Sequence, residues 1–187
     1  MYDFSDLYQL GWLPCAPAAG SRLMSVSAGF DEISAVLQLK YAPEQLLAVD
    51  FYDPARHTEV SIKRARRAHA PFPGTRQVDA RAALPLVDNS IDLTFAFLAA
   101  HEIRDASERA AFFREVRRVT KADGHIIVTE HLRDAANFLA YTIGFFHFHS
   151  RCAWLSTFRN VGLQVEQEIK ITPFITSFIL SKNGTAA

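Results

Sequence analysis

The 187-residue sequence has only two cysteines, no excess charge of either sign and no long uninterrupted apolar run. Cys15 and Cys152 are too few for a disulfide framework. Lys and Arg together number 20, as do Asp and Glu, and this balance argues against an electrostatic nucleic-acid binder. No window reaches the roughly 18 apolar residues that a membrane span requires. Residues 1–6 lack the basic and apolar regions of a signal peptide, so we expect a cytoplasmic protein without a membrane span.

The length fits one domain with a sizeable core. We predict a single domain over residues 1–187, with an N-terminal helix and linker at 1–20, a core at 21–182 and a short tail at 183–187. The N-terminal helix is expected over residues 2–13. A local cluster of Arg64, Arg66 and Arg67 is interpreted as the solvated face of a helix.

Strands and helices alternate along the predicted core. Alternation of this kind predicts right-handed crossovers and a parallel sheet, and the closing pair of strands must form an antiparallel hairpin because its link is short. Pro54 is expected to open the second core helix and Ser107 to cap the third, while Asp123 and Gly124 predict a turn. The predicted strands are 22–27, 46–50, 76–79, 91–98, 125–129, 163–171 and 174–181, and the predicted helices are 31–41, 54–69, 107–120, 133–146 and 151–161.

An acid ends the second predicted strand, at Asp50. Ligands of open α/β sheets bind at the carboxyl ends of the strands, and a carboxylate placed there can accept both hydroxyls of a ribose. The alternative is that Asp50 caps a turn or a helix. We predict a nucleoside contact.

A longer motif lies at residues 84–130, LPLVDNSIDLTFAFLAAHEIRDASERAAFFREVRRVTKADGHIIVTE. It resembles the motif of class I S-adenosylmethionine-dependent methyltransferases, in the branch of the quinone-biosynthesis enzymes (UbiE-like, methyltransferase type 11). The matching residues are Leu84, Pro85, Asp88, Ser90, Asp92, His101, Ile103, Asp105, Glu115, Arg118, Val119, Lys121 and Gly124.

The resemblance implies an α/β, Rossmann-like class I methyltransferase fold, with a mostly parallel seven-stranded sheet and a C-terminal antiparallel hairpin. It also implies S-adenosylmethionine as cofactor and a small-molecule acceptor, hydrophobic or aromatic, because this family builds its acceptor pocket after the fifth strand. An aromatic segment follows that strand here. A core-facing helix and a homodimer interface remain the alternatives for this segment, which contains Phe138, Tyr141, Phe145, Phe146 and Phe148.

The same resemblance assigns the cofactor contacts. Asp50 would accept the ribose hydroxyls, Asp79 with Ala80 would lie beside the adenine, and Gly29 would pass under the methionine. The full predicted set is Ser25, Ser27, Gly29, Asp50, Phe51, Asp79, Ala80 and Phe97. The glycine-rich loop departs from the family pattern, because Ser27 and Asp31 stand where glycines are usual.

Two histidines are the candidate catalytic residues. His101 follows the fourth strand and His147 lies in the aromatic segment, and an imidazole can remove a proton from the acceptor. His147, His149 and Cys152, with His131 or Glu130, also offer metal ligands, but their spacing matches no closed zinc pattern and we predict no metal site.

Three hypotheses follow from the sequence. The first is an active methyltransferase, and the second is a catalytically inactive methyltransferase-like protein that acts through protein–protein interaction. The departures in the glycine-rich loop motivate this second hypothesis. The third is another, metal-assisted reaction on the same fold, motivated by the histidines.

Overall fold

The computed structural model describes residues 6–57 and 60–182. Seven strands and five α-helices follow one another in this part of the chain. The strands are β1 Arg22–Ser27, β2 Gln45–Asp50, β3 Arg76–Gln77, β4 Ile91–Phe97, β5 Thr120–His131, β6 Gln164–Lys170 and β7 Ile175–Ser181. The helices are α1 Ser34–Tyr41, α2 Val60–Ala68, α3 Ala106–Val119, α4 Ala135–Tyr141 and α5 Arg151–Asn160.

The strands form one seven-stranded sheet in the order β3-β2-β1-β4-β5-β7-β6. The pairs among β1 to β5 are parallel, whereas β7 is antiparallel to both β5 and β6. The predicted α/β class, the seven strands and the C-terminal antiparallel hairpin are confirmed. Because β7 inserts between β5 and β6, the last strand among the described residues lies inside the sheet.

Two hydrophobic clusters cover the sheet, and alternate residues of β1 divide between them. Met24 and Val26 belong to the first cluster, with α3 and α5, while Leu23 belongs to the second, with α1. Leu7 and Leu10 are fully or almost fully buried in the second cluster. The N-terminal segment thus covers one face of the sheet.

The N-terminal helix prediction is wrong for the residues that the structure describes. Residues 6–12 form turns, and Leu10 has a positive φ of 54°. The first part of that prediction, residues 2–5, and the predicted tail at 183–187 lie outside the described residues.

The second core helix does not open at Pro54. Asp53 accepts a hydrogen bond from the backbone N–H of Ala55, and its own N–H donates to Nδ1 of His57, so a turn forms there. The turn moves the start of α2 to Val60.

Helix α3 is capped two residues earlier than predicted. The carboxylate of Asp105, and not the hydroxyl of Ser107, accepts hydrogen bonds from the N–H groups of Ser107 and Glu108. An aspartate has both the geometry and the charge that a helix N-terminus favours.

The predicted turn at Asp123 and Gly124 is replaced by a continuous β5 of 12 residues. A Cβ at Gly124 would lie 2.6 Å from the carbonyl oxygen of Asp92. The glycine therefore serves close packing against β4, where the register between these strands shifts.

The predicted helix at 133–146 divides into α4 and a 3₁₀-helix, Thr142–His147. Thr142 has a φ of 50°, which ends α4. Phe138 is half exposed and Phe146 is 64% exposed, so the interpretation of this segment as a core-facing helix is wrong for them.

In the described part of the chain, no helix is long and apolar enough to span a membrane.

Three charged side chains of the motif at residues 84–130 form a cluster, called the brace here, which consists of Asp88, Glu115 and Arg118. Glu115 accepts a hydrogen bond from the N–H of Leu84, and Arg118 donates to the carbonyl oxygens of Leu84 and Leu86, each at 2.9 Å. Arg118 also pairs with Glu115 and Asp88. The Glu and Arg of the motif thus hold the loop before β4.

The two edge strands of the sheet, β3 and β6, are more exposed than its interior strands. β3 has two residues, both exposed, and lies at one edge. β6 forms the other edge, where Glu166, Glu168 and Lys170 are exposed and the register shifts between Val165 and Gln167.

Candidate active site

The carboxyl ends of β1, β2 and β3 bring polar residues together at one edge of the sheet. Ser27 pairs with Asp50 across β1 and β2, and Asp50 pairs with Gln77 across β2 and β3. This is the edge at which open α/β sheets bind ligands.

Asp50 is 2% exposed, and the chain's own donors surround its carboxylate. Oδ1 accepts hydrogen bonds from the N–H groups of Gly29 at 2.7 Å and Tyr52 at 2.9 Å. Oδ2 accepts from Arg66 at 2.8 Å and Gln77 at 2.7 Å. The carboxylate predicted to bind ribose is therefore already hydrogen-bonded on both oxygens.

Arg66 reaches this carboxylate from α2. Its Nη1 also donates to the carbonyl oxygen of Gly29, and its guanidinium lies 4.4 Å from the ring centroid of Tyr52. The prediction that the Arg64, Arg66 and Arg67 cluster faces solvent is wrong for Arg66. Its guanidinium turns inward because a buried carboxylate without a cation would be costly.

Gly29 has a φ of +97°, a conformation that favours glycine. A Cβ there would lie 2.8 Å from Cδ2 of Tyr52 and 2.9 Å from Cγ2 of Ile62. The space above Gly29 is thus filled by side chains of the same chain. Only about 40 Å³ remain in the cavity lined by Ser27, Gly29, Asp50 and Arg66.

A larger cavity of about 380 Å³ lies beside the ends of β2 and β3. Phe51, Asp79 and Ala80 line it, together with Glu102 and Ile103. Asp79 is exposed and pairs with Arg81 at 2.9 Å, and this hydrogen bond lowers the pKa of Asp79. Three of the residues predicted to contact the cofactor therefore share one cavity.

A third cavity, of about 210 Å³, lies beyond the end of β4. Ala28, Phe30, Ile62, Ala65 and Leu98 give it an apolar lining, and Glu32, His101 and Glu102 add polar groups. Burial raises the pKa of Glu32 despite the hydrogen bond that it accepts from Tyr8.

Two predicted cofactor residues lie in the interior instead. The hydroxyl of Ser25 is hydrogen-bonded to that of Ser34 in α1. Phe97 is 3% exposed, and its ring centroid lies 5.7 Å from that of Tyr8. The next residue, Leu98, lines the 210 Å³ cavity.

His101 lies in a 3₁₀-helix, Ala100–Glu102, that follows β4. Its Nδ1 donates to Oε2 of Glu130 at 2.7 Å, and its Nε2 lies 3.3 Å from Oε1 of Glu102. Burial lowers the pKa of His101, but the charge of Glu130 and the contacts with Glu102 outweigh it and raise the value to about 10.

His147 ends the 3₁₀-helix after α4 and approaches the same group. Its Nε2 lies 3.2 Å from Oε1 of Glu102. Burial raises the pKa of Glu102, but the hydrogen bonds from His101 and His147 outweigh it and hold the pKa far below the usual range. The two predicted catalytic histidines thus share one carboxylate.

The metal ligands considered from the sequence are not all brought together. His149 accepts a hydrogen bond from the buried Arg109 at 3.1 Å, and burial together with the Arg109 charge lowers its pKa to about 4. His131 donates to the carbonyl oxygen of Phe174, burial lowers its pKa, and Cys152 is exposed.

Three residues of this region were not predicted from the sequence as parts of the site. Glu102 follows His101 directly, and that adjacency was a usable signal. Glu130 was considered only as a metal ligand, although it is the next-to-last residue of β5 and lies near the carboxyl end of that strand, as Asp50 does in β2. Arg66 gave no signal, because an arginine on an amphipathic helix is ordinarily solvated.

Solved structures of the same fold include several methyltransferases. A SAM-dependent methyltransferase from Aquifex aeolicus matches with a TM-score of 0.65 and 13% identity, over 96% of this chain and 90% of that chain. An S-adenosylmethionine-dependent methyltransferase from Mesorhizobium loti matches with a TM-score of 0.63 and 15% identity, over 96% and 99%. A chain from the complex of the Haloferax volcanii Trm112 methyltransferase activator with a methyltransferase gives 0.71 and 12%, over 97% and 90%.

At these identities the structural likeness establishes the fold alone, and no curated protein sequence matches the chain. The family model described as a methyltransferase domain matches residues 24–128, more than half of the chain. That match supports S-adenosylmethionine, the cofactor predicted from the sequence. The residues 84–130 motif, the strand order and this match agree, and the chain belongs to the methyltransferase domain family.

Proposed function

We propose that this protein is an S-adenosylmethionine-dependent methyltransferase that acts on a small, hydrophobic or aromatic molecule. One observation supports the proposal above the others. Ser27 and Asp50 lie in register at the carboxyl edge of the sheet, beside the cavity lined by Phe51, Asp79 and Ala80. These are residues that the family resemblance assigns to the cofactor.

The residue types suit the cofactor, but the side chains of Arg66 and Tyr52 occupy positions that the cofactor would need. Asp50 would hold the ribose hydroxyls after Arg66 has moved away, and Tyr52 would have to leave the space above Gly29. Phe51, with its apolar ring, and Asp79 would flank the adenine. The bound cofactor would supply an electrophilic methyl group.

The 210 Å³ cavity is the proposed acceptor site. Its apolar lining suits a small hydrophobic molecule, and its polar groups can orient one hydroxyl, amine or thiol. His101 and His147 are the proposed catalytic residues, since they meet at Glu102 on the wall of this cavity. Because its pKa is raised to about 10, His101 keeps its proton near neutral pH and would donate a hydrogen bond to the acceptor, so the removal of a proton falls to His147. Glu130 acts as a positioning residue because it fixes the ring of His101.

The inactive alternative also has a supporting observation. Arg66 and Gln77 occupy the carboxylate oxygen that a ribose would use, and Tyr52 fills the space above Gly29. A chain that keeps this arrangement would act through protein–protein interaction. Small-molecule binding separates the two functions.

Calorimetric titration with S-adenosylhomocysteine is the decisive experiment. We expect saturable binding to the unmodified protein, weakened in Asp50→Asn and unchanged in the control Asp123→Asn, which alters an exposed acid of β5. If neither the unmodified protein nor Arg66→Gln binds at millimolar ligand, the enzymatic proposal fails and the inactive alternative stands.

A further inference from the structure

His101, Glu102 and His147 form a compact group of potential metal ligands. One ligand atom from each lies within 4.8 Å of the others. Oε1 of Glu102 is the centre of the group, 3.3 Å from Nε2 of His101 and 3.2 Å from Nε2 of His147. The group joins the segment after β4 to the segment after α4, which are 45 residues apart.

These separations match those expected of metal ligands. Zinc binds imidazole nitrogen and carboxylate oxygen at about 2.0–2.2 Å. Two ligands of a tetrahedral ion at that bond length lie about 3.3 Å apart. The two ligand–ligand distances to Glu102 already have this value. Two histidines and one glutamate are also a donor set that leaves a position open for water or substrate.

Glu130 prepares His101 for a metal. Its carboxylate is fully buried, accepts from Nδ1 of His101 at 2.7 Å and also from the backbone N–H of His101 at 3.2 Å. A carboxylate can only accept, so Nδ1 keeps its proton toward Glu130, and an ion would displace the proton that Nε2 shares with Glu102. Metal-binding histidines generally have this kind of partner on the other nitrogen, where it orients the ring.

The guanidinium of Arg104 lies beside the proposed position. It donates to the carbonyl oxygen of His147 at 2.9 Å, and its Nη2 lies 2.6 Å from Nε2 of the same residue. A bound ion would displace the guanidinium from the ring, and the contact with the carbonyl oxygen would still hold the arginine nearby. The positive charge beside Glu102 would then come from the ion.

We propose that His101, Glu102 and His147 bind one divalent first-row transition-metal ion at the wall of the acceptor cavity. His101 and Glu102 line that cavity, so the open position of the ion would face it. An oxygen or nitrogen atom of the acceptor could then bind the ion directly. Only this last role rests on the proposed methyl transfer, because metal binding itself requires neither cofactor nor acceptor.

Zinc titration by calorimetry, with metal analysis after dialysis, tests the site. We expect one zinc ion per chain, with affinity lowered by on the order of 100-fold or more in Glu102→Gln and in His147→Gln. Glu130→Gln should lower the affinity by about 10–100-fold, as for partners of metal-bound histidines. Co²⁺ should give a visible absorption band that the first two variants lose.

His125→Gln is the matched control. His125 also lies 3.3 Å from a glutamate, Glu166, but this pair lies on the surface of the sheet. Its zinc affinity should equal that of the unmodified protein, and circular dichroism verifies that every variant is folded. The absence of stoichiometric zinc would overturn the proposal, as would unchanged affinity in both Glu102→Gln and His147→Gln. Failure of S-adenosylhomocysteine binding with zinc binding retained would refute the methyltransferase proposal alone.

Discussion

Arg66 donates a hydrogen bond of 2.8 Å to Oδ2 of Asp50, and this pair closes the end of β2. The Asp50 side chain is 3% exposed, whereas that of Arg66 is 34% exposed. The sheet fixes the carboxylate of Asp50, whereas the guanidinium of Arg66 approaches it from the protein surface. The arginine is therefore the partner that can leave when another donor arrives.

Replacement of Arg66 by Gln should destabilise the free protein and favour the bound form. We expect the free energy of unfolding to fall by about 1–3 kcal/mol, because a buried carboxylate loses a charged donor that is itself partly solvated. Ribose hydroxyls would replace that donor, so S-adenosylhomocysteine should raise the melting temperature more in Arg66→Gln than in the unmodified protein.

Arg67→Gln serves as the control for Arg66, since Arg67 is the next, exposed residue of α2. Its melting temperature should respond to the ligand as the unmodified protein does. Equal ligand-induced shifts in all three proteins would contradict the idea that Arg66 and the ribose compete for Asp50.

Gly29→Ala tests the filled space above Gly29. The positive φ alone should cost about 1–2 kcal/mol, which Gly20→Ala measures, because Gly20 has a φ of +82° and no atom within 4 Å of its Cβ position. At Gly29 the contacts with Tyr52 and Ile62 should add about 1–3 kcal/mol. Denaturant unfolding measures the loss of stability in both variants. Equal losses would show that the side chain of Tyr52 moves aside in Gly29→Ala without lowering the stability further.

Arg109→Met should destabilise the segment that contains His101 and Glu102. Arg109 is 4% exposed and donates to the carbonyl oxygen of Ile103 at 3.0 Å, to Thr157 and to His149. Its loss leaves these acceptors without a donor, and we expect about 2–4 kcal/mol less stability. Chemical denaturation measures this.

Arg114→Met on the exposed side of α3 is the comparison for Arg109, with an expected change within about 0.5 kcal/mol. A similar small change in both variants would mean that water replaces the guanidinium of Arg109.

Glu115→Gln should make the stability less dependent on pH in acid. The hydrogen bond from Arg118 lowers the pKa of Glu115 in the folded state. A lowered pKa contributes stability above the unfolded pKa of about 4.3, and that stability is lost as the pH falls through the folded value. The variant should be about 1 kcal/mol less stable near neutral pH, and the difference should shrink as the pH falls below about 4.3.

The pH dependence is followed by urea unfolding from neutral pH to acid. Glu44→Gln is the control, because Glu44 is exposed at the turn before β2 and outside the brace. A stability difference between Glu115→Gln and the unmodified protein that stayed constant over this range would contradict the proposed ion pair.

The sheet could be predicted because its strands are short apolar runs between turn residues. The runs at 22–27, 46–50 and 91–98 appear in the structure as β1, β2 and β4 with ends shifted by no more than one residue. Their parallel pairing followed from the alternation with helices. The predictions were wrong where local hydrogen bonds set the backbone conformation. At Asp53, side-chain hydrogen bonds form a turn where the first turn of a helix was predicted.

The site was predictable only where a residue type and a strand end coincide. Asp50 lies where the sequence analysis placed it, but its partner Arg66 comes from a helix whose start was misplaced. Glu102 and His147 meet across 45 residues of chain, and no spacing in the sequence indicates that contact. Phe97 was assigned to the cofactor although alternation along β4 directs it into the core.

The ends of the sheet also determine how the protein can associate. An exposed strand edge with apolar side chains invites another chain to add to it and begin aggregation. Here one edge is only two residues long, and the other combines charged side chains with a bulge. Neither edge offers a long flat ribbon, so a second molecule would be recruited through side-chain surfaces and not by extending the sheet.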